Sequence, residues 1–237
     1  MTRDRKIIGI LGGMGAEATV ELFKRIVEKT QAKSDQEHLR IIIDNNPQIP
    51  DRTQAILHNG KDPLPLLRKS ASILEAAGAD FIIIPCNSAH YFLESIRKAV
   101  TIPVLNMIGE TANAIKEKRV GLLATDGTVQ IGLYHKACSE RGIEIIPPKA
   151  CDQQRVIDVI YGVKAGKRKQ PFKETVIDVI HGLKESGIEA LILGCTELSV
   201  LFTEEAVDLP MYDALGILAK SAVREALEER KLPTRLD

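Results

Sequence analysis

Phe81-Ile82-Ile83-Ile84-Pro85-Cys86-Asn87-Ser88-Ala89-His90 decides the fold, together with its echo Ala190-Leu191-Ile192-Leu193-Gly194-Cys195-Thr196-Glu197. Each is a short apolar run that stops at a cysteine followed by polar side chains. A run of four or five apolar residues, too short for a helix, reads as a strand buried on both faces. The cysteine then sits where a strand ends and a helix begins, and there unpaired N–H groups and the helix dipole favour an anion. A thiol so placed is expected to ionise more easily, and the thiolate is the reactive form. A lone cysteine is more often a small buried hydrophobe. Cys138 and Cys151, which end no apolar run, are assigned to that class.

The echo extends outward from the cysteines. Leu74-Glu75-Ala76-Ala77-Gly78-Ala79-Asp80 parallels Leu183-Lys184-Glu185-Ser186-Gly187-Ile188-Glu189, and Ile102-Pro103 through Gly109 parallels Leu209-Pro210 through Gly216. The offset is 109 residues at the cysteines, from 86 to 195, and 107 at the prolines, from 103 to 210. At the front of each half a strand runs into a glycine turn, with Gly9 and Gly15 matched by Gly121 and Gly127. Further strands are expected at 40–43, 102–105 and 143–146. Helices are expected at 16–29, 64–77, 133–139, 153–163 and 172–186, with a polar loop at 44–53 and a basic loop at 164–169. Alternating strands and helices imply parallel sheets covered on both faces with right-handed crossovers. The expected architecture is therefore α/β, with two similar parallel-sheet αβα domains related by a pseudo-twofold axis and a site in the cleft between them.

Composition bounds the partners. At 237 residues the chain can hold one large or two small domains. Its zero formal net charge implies neither nucleic acid nor an anionic membrane surface. No apolar stretch reaches the length of a membrane span. The start, Met1-Thr2-Arg3-Asp4-Arg5-Lys6, has no apolar signal region, so the cytoplasm is the expected location. Four cysteines without a C-x-x-C pair, and no paired histidine motif, give neither a disulfide framework nor a zinc site.

The duplication carries the mechanistic expectation. In open α/β sheets ligands bind beyond the carboxyl ends of the strands. Two halves facing across a pseudo-twofold axis would bring Cys86 and Cys195 to opposite sides of one cleft. Inversion at a carbon centre needs such a pair: one thiolate removes a proton from one face while the opposite thiol delivers one to the other.

Gly9-Ile10-Leu11-Gly12-Gly13-Met14-Gly15, Pro85-Cys86-Asn87-Ser88-Ala89-His90 and Gly194-Cys195-Thr196-Glu197 resemble the cofactor-independent aspartate/glutamate racemase superfamily. The resemblance runs over essentially the whole chain. Asn46-Pro47-Gln48-Ile49-Pro50-Asp51-Arg52-Thr53 and Gly162-Val163-Lys164-Ala165-Gly166 are similar to the aspartate racemase branch, as is Glu197 in place of a histidine. Ser88 departs from the family's usual threonine but keeps the hydroxyl.

The resemblance implies racemisation of an acidic amino acid, without pyridoxal phosphate or metal, in a homodimer. It implies a first domain of residues 1–101 plus 211–237, with a returning last helix, and a second of 102–210. Cys86 and Cys195 become the acid/base pair. Asn87, Ser88 and Thr196, with Thr125 and Thr128 in support, are candidates for the substrate α-carboxylate; their alternative role is helix capping. Arg52 and Lys164 are candidates for the side-chain carboxylate, Arg by two parallel hydrogen bonds and Lys as a point charge. Met14 and Gln48 join the binding set. Gly13 would let backbone approach the ligand, and Glu197 would position Cys195. His90 reads as an ordinary first-turn residue.

Three other readings stay open. Related isomerases of the superfamily act on glutamate, hydantoins or maleate. Gly13-x-Gly15-x-x-Ala18 with Asp44 fits a dinucleotide fingerprint, which suggests a nicotinamide-dependent dehydrogenase. A non-catalytic binder descended from an enzyme is the last.

Overall fold

The computed structural model describes residues 5–167, 170–202 and 207–228. Strand β1 (Ile8–Gly12) leads through a glycine turn into helix α1 (Ala16–Lys29), then β2 (Ile41–Asn45), α2 (Arg52–Leu57), α3 (Leu64–Ala76) and β3 (Phe81–Ile83). Short α4 (Leu93–Arg97) and α5 (Met107–Ala114) follow. The second half runs through β4 (Arg119–Leu123), α6 (Asp126–Gln130), α7 (Leu133–Ser139), β5 (Glu144–Ile146), α8 (Ala150–Lys164) and α9 (Gln170–Glu185). It ends with β6 (Ala190–Leu193), α10 (Thr196–Leu201), β7 (Met211–Asp213) and α11 (Ala214–Leu227).

All strand pairs are parallel, in two sheets ordered β2-β1-β3 and β5-β4-β6-β7. A single parallel bridge from Ile82 to Val104 adds the 102–105 segment beside β3, so the first sheet repeats the order of the second. Side chains alternate between two buried faces, as strands in a covered parallel sheet must. Ile8, Ile10, Phe81 and Ile83 pack with Leu22 and Ile26 of α1 and Leu215 and Leu218 of α11. Leu11, Ile82 and Ile84 meet Leu67 and Leu74 of α3 on the other face. In the second sheet Val120, Leu122, Ala190 and Ile192 face α5 and α7, while Leu123, Leu191 and Leu193 face α8 and α9.

The crossings between halves differ from the boundaries expected at 101/102 and 210/211. The 102–105 segment stays with the first sheet and β7 stays with the second. The chain changes sides after Asn106 and after Asp213, each an Asx residue capping the helix that departs. Asn106 Oδ1 accepts from the N–H groups of Ile108 and Gly109, both at 3.1 Å, and Asp213 Oδ1 accepts from Leu215 N–H at 3.0 Å. Helix α5 then covers the second sheet and α11 the first, so the halves exchange a helix.

Three further expectations are corrected. Cys151 is exposed, because it sits in the first turn of α8 outside the apolar stripe, whereas Cys138 is buried. The 44–53 stretch is not all loop: Asp51 caps α2 by accepting from Gln54 N–H at 2.9 Å. Lys164 ends α8 rather than opening a basic loop, and Arg168 and Lys169 lie outside the described residues.

Candidate active site

The glycine turn after β1 brings the first wall into place. Gly13 has φ +92° and an added Cβ would lie 2.3 Å from the Asn46 backbone, so only glycine lets the two loops close on each other. A Cβ on Gly127 would lie 2.8 Å from Thr53 Oγ1, so α6 of the second half packs closely on α2 of the first. This second contact brings the carboxyl ends of the two sheets face to face.

Between them lies a small cavity of about 10 Å³ lined by Cys86, Asn87, Ser88, Thr125, Thr128, Cys195, Thr196 and Glu197, with Met14 and Lys164. That volume holds roughly one water. A second cavity of about 310 Å³ shares Met14, Lys164 and Glu197 with it, and adds Arg52, Ile49, Val163 and Val200. Every residue assigned above to the racemase site lines one or both, except Gln48, which is exposed and lines neither; Asp44 of the dinucleotide reading also lines neither.

The polar side chains around the sulfurs are not spent on capping. Asn87, Cys195 and Thr125 occupy N-cap positions yet make no side-chain cap. Thr125 and Thr128 instead bring their hydroxyls within 3.2 Å of each other. Asn87 is only 4% exposed and its Nδ2 has no hydrogen-bond partner among the described residues. Its Oδ1 accepts from the hydroxyl of Tyr134, across from the second half, at 2.6 Å.

The two sulfurs have different neighbours. Cys86 Sγ lies 3.5 Å from Ser88 Oγ and faces the Arg52 guanidinium. Cys195 Sγ donates to Glu197 Oε2 at 2.9 Å, and Thr196 Oγ1 donates to the same oxygen at 3.3 Å. Burial and then the Glu197 carboxylate push the Cys195 thiol well above its ordinary range, against the pull of Lys164. At Cys195 the sequence sets a helix start against the neighbouring Glu197 carboxylate, and the thiol ends up raised. Desolvation and the adjacent carboxylate set that direction, and α10 is a short helix of six residues.

Arg52 is buried rather than solvated, at 6% exposure. Its Nη1 donates to the carbonyls of Ile49 (3.2 Å) and Pro50 (2.9 Å), and Nη2 to that of Met14 (3.2 Å). Nε has no partner among the described residues, so part of the fork remains available to a carboxylate. Burial opposes its charge, but Cys86, Asp51 and Glu197 outweigh that and raise its pKa. Lys164 is exposed at the end of α8 with its ammonium close to the site: partial desolvation lowers its pKa, while Glu197 and Cys195 raise it on balance. Its ammonium sits 5.1 Å from the centre of the Tyr161 ring, whose hydroxyl donates to Asp51 of the first half at 3.3 Å.

Sequence reading passed over two residues here. Met107 N–H donates to His90 Nε2 at 3.0 Å, so the other ring nitrogen carries the proton and donates to the Cys86 carbonyl at 2.9 Å. His90 thus ties the Cys86 backbone to the start of α5, and burial lowers its pKa to about 4. Tyr134 is the second. A histidine four residues past the cysteine was a signal for the first; a tyrosine on the apolar face of α7 gives little hint of the second.

A family model for Asp/Glu/hydantoin racemases matches residues 11–222. The chain is 28% identical to the broad specificity amino-acid racemase RacX of Bacillus subtilis over 223 residues, 92% of this chain and 96% of that one. The structure is similar to that of Picrophilus torridus aspartate racemase, with a TM-score of 0.84, 35% identity and 95% of each chain covered. It is also similar to an aspartate racemase homologue from Pyrococcus horikoshii, with a TM-score of 0.75, 27% identity, and 93% and 99% covered. The glutamate racemase of Aquifex pyrophilus shares the fold, at a TM-score of 0.61 and 21% identity over 91% and 82% of the chains. With its two duplicated sheets and paired cysteine termini, the chain belongs to the Asp/Glu/hydantoin racemase family and is an isomerase of the racemase type.

Proposed function

We propose that this racemase interconverts L- and D-aspartate by a two-base thiol/thiolate mechanism. The observation that supports it is one cavity lined by both Cys86 and Cys195, with amide and hydroxyl groups from both halves and the cations Arg52 and Lys164 beside it. A thiolate takes the Cα proton and becomes a thiol. The opposite thiol gives its proton to the other face and becomes a thiolate, so charge and protons balance. Negative charge grows on the α-carboxylate as the proton leaves, and donors fixed at Asn87, Ser88, Thr125, Thr128 and Thr196 stabilise it. Arg52 and Lys164 hold the β-carboxylate. Burial and Glu197 favour the protonated form of Cys195, which suits it to the donor role. The reaction as written needs no pyridoxal phosphate and no metal. The 10 Å³ inner cavity is smaller than the substrate, so binding requires the walls to part.

A second reading, a broader amino-acid specificity, is supported by the 310 Å³ outer cavity with Ile49, Val163 and Val200 on its wall. Incubation of L-aspartate in D2O without pyridoxal phosphate, with chiral analysis, tests both. D-aspartate carrying deuterium at Cα is the expected product. Aspartate left unchanged while neutral amino acids turn over would favour the second reading, and turnover of maleate or a hydantoin alone would overturn both.

A further inference from the structure

We propose that Tyr134 is a positioning residue: its hydroxyl fixes the orientation of the Asn87 carboxamide, so that Asn87 presents donors rather than an acceptor to the substrate α-carboxylate. The inference rests on the racemase reading above and goes beyond it, since Tyr134 lines neither cavity.

Tyr134 belongs to α7 in the second half and is completely buried, packed among Ala112 of α5, Leu122 and Ile192. A phenol with no access to water must place its proton on an acceptor. It does so on Asn87 Oδ1, at 2.6 Å, across the line between the halves. A carboxamide has an accepting end and a donating end, and the two exchange places by rotation about one bond. With Oδ1 held by Tyr134, Nδ2 is the remaining end of a side chain that lines the cavity, buried and without a partner among the described residues. A buried amide left unpaired is a standing cost to the empty site. A carboxylate oxygen arriving in the cavity relieves that cost. The rotated carboxamide would instead turn its carbonyl oxygen toward the carboxylate, and the two acceptors would repel.

The proton of Tyr134 therefore decides the sign of the contact that Asn87 makes. Because charge accumulates on the α-carboxylate as Cα loses its proton, the donor matters more in the transition state than in the bound substrate. The loss should thus appear mainly in kcat rather than in KM.

The test is a double-mutant cycle on racemisation of L-aspartate with wild type, Tyr134→Phe, Asn87→Ala and the double variant. Tyr134→Phe should lower kcat/KM about tenfold, mostly through kcat, on the scale of one buried hydrogen bond. Asn87→Ala should lower it further, and adding Tyr134→Phe to Asn87→Ala should change it by less than about twofold. Thermal midpoints measured alongside separate any packing loss, which would persist in both backgrounds. Should Asn87→Ala fail to fold, Asn87→Ser takes its place. Wild-type kcat/KM in Tyr134→Phe, or losses that multiply in the double variant, would overturn the proposal. If aspartate is inert but another amino acid racemises, the substrate assignment fails and the cycle is run on that amino acid, which carries the same α-carboxylate. A protein inert toward every amino acid overturns the reading and the inference together.

Discussion

The two cysteine termini come from one repeated unit, yet they have been furnished with opposite charge. Cys86 faces the buried Arg52, while Cys195 donates to Glu197 at 2.9 Å. The backbone that presents them is shared: a buried parallel strand ending at the same edge of an equivalent sheet. The difference teaches that strand placement alone does not set thiol reactivity. In the mechanism proposed above, a cation beside one sulfur and a carboxylate beside the other would make an acceptor and a donor from the same residue type, the pair that a proton crossing a carbon centre needs.

The largest effect should come from erasing either terminus. Cys86→Ala and Cys195→Ala are each expected to lower racemisation at least about a thousandfold, the scale of a lost general acid or base. A chiral assay of both variants in both directions checks this. Near-normal turnover by either one would show that the pair does not act together.

Neutralising one terminus should sharpen the comparison. In Glu197→Gln the carboxylate no longer opposes the thiolate, so the Cys195 pKa should move down toward the ordinary thiol range. Thiolate absorbance followed against pH in Cys86→Ala and in Cys86→Ala/Glu197→Gln isolates the Cys195 titration from that of its partner. An unchanged midpoint would remove Glu197 as the cause of the asymmetry.

His90 gives a stability signature confined to the first terminus. Its folded pKa of about 4 lies below its ordinary value of 6.5. The stability it contributes is therefore present above about pH 6.5 and is lost as pH falls toward 4. Protonation would place a proton on Nε2, where Met107 N–H already donates. Urea midpoints measured from pH 7 to pH 4 should fall, and His90→Gln should flatten the decline by up to about 3 kcal/mol. Parallel slopes for the two proteins would assign the acid sensitivity elsewhere.

The smallest expected effect compares the two crossings. Asn106→Ala should cost about 1 kcal/mol, the usual loss of an N-cap. Asp213→Ala should cost more, because Asp213 also pairs with Arg25 and accepts from Ser199 Oγ at 2.6 Å. Equal losses in denaturant titrations would mean that the ion pair adds nothing.

Much of this architecture is legible in the chain itself. Short apolar runs ending at Cys86 and Cys195 leave no choice but buried parallel strands, and their repetition gives two sheets. What escaped has physical reasons. Asp51-Arg52-Thr53-Gln54 is dominated by polar residues and so reads as loop, although Asp followed three residues later by Gln is a capping pattern. The raised Cys195 pKa depends on burial and on a carboxylate two residues away, whose balance against a helix start no local pattern reveals. Tyr134 meets Asn87 from 47 residues away, and no spacing announces such a contact. The crossing points at Asn106 and Asp213 were displaced by only a few residues, because proline marks the strand and the Asx cap marks the turn.

The helices exchanged at those crossings bear on how the chain could have come to be duplicated. Each sheet has one face that its own half covers only in part: α11 joins α1 over the sheet made first, and α5 joins α7 over the sheet made second. A polypeptide of half the length would have left part of that face wet unless a second copy lent its terminal helix. Fusion of two such copies end to end would convert a reciprocal loan between molecules into an internal one, and would free each cysteine neighbourhood to diverge.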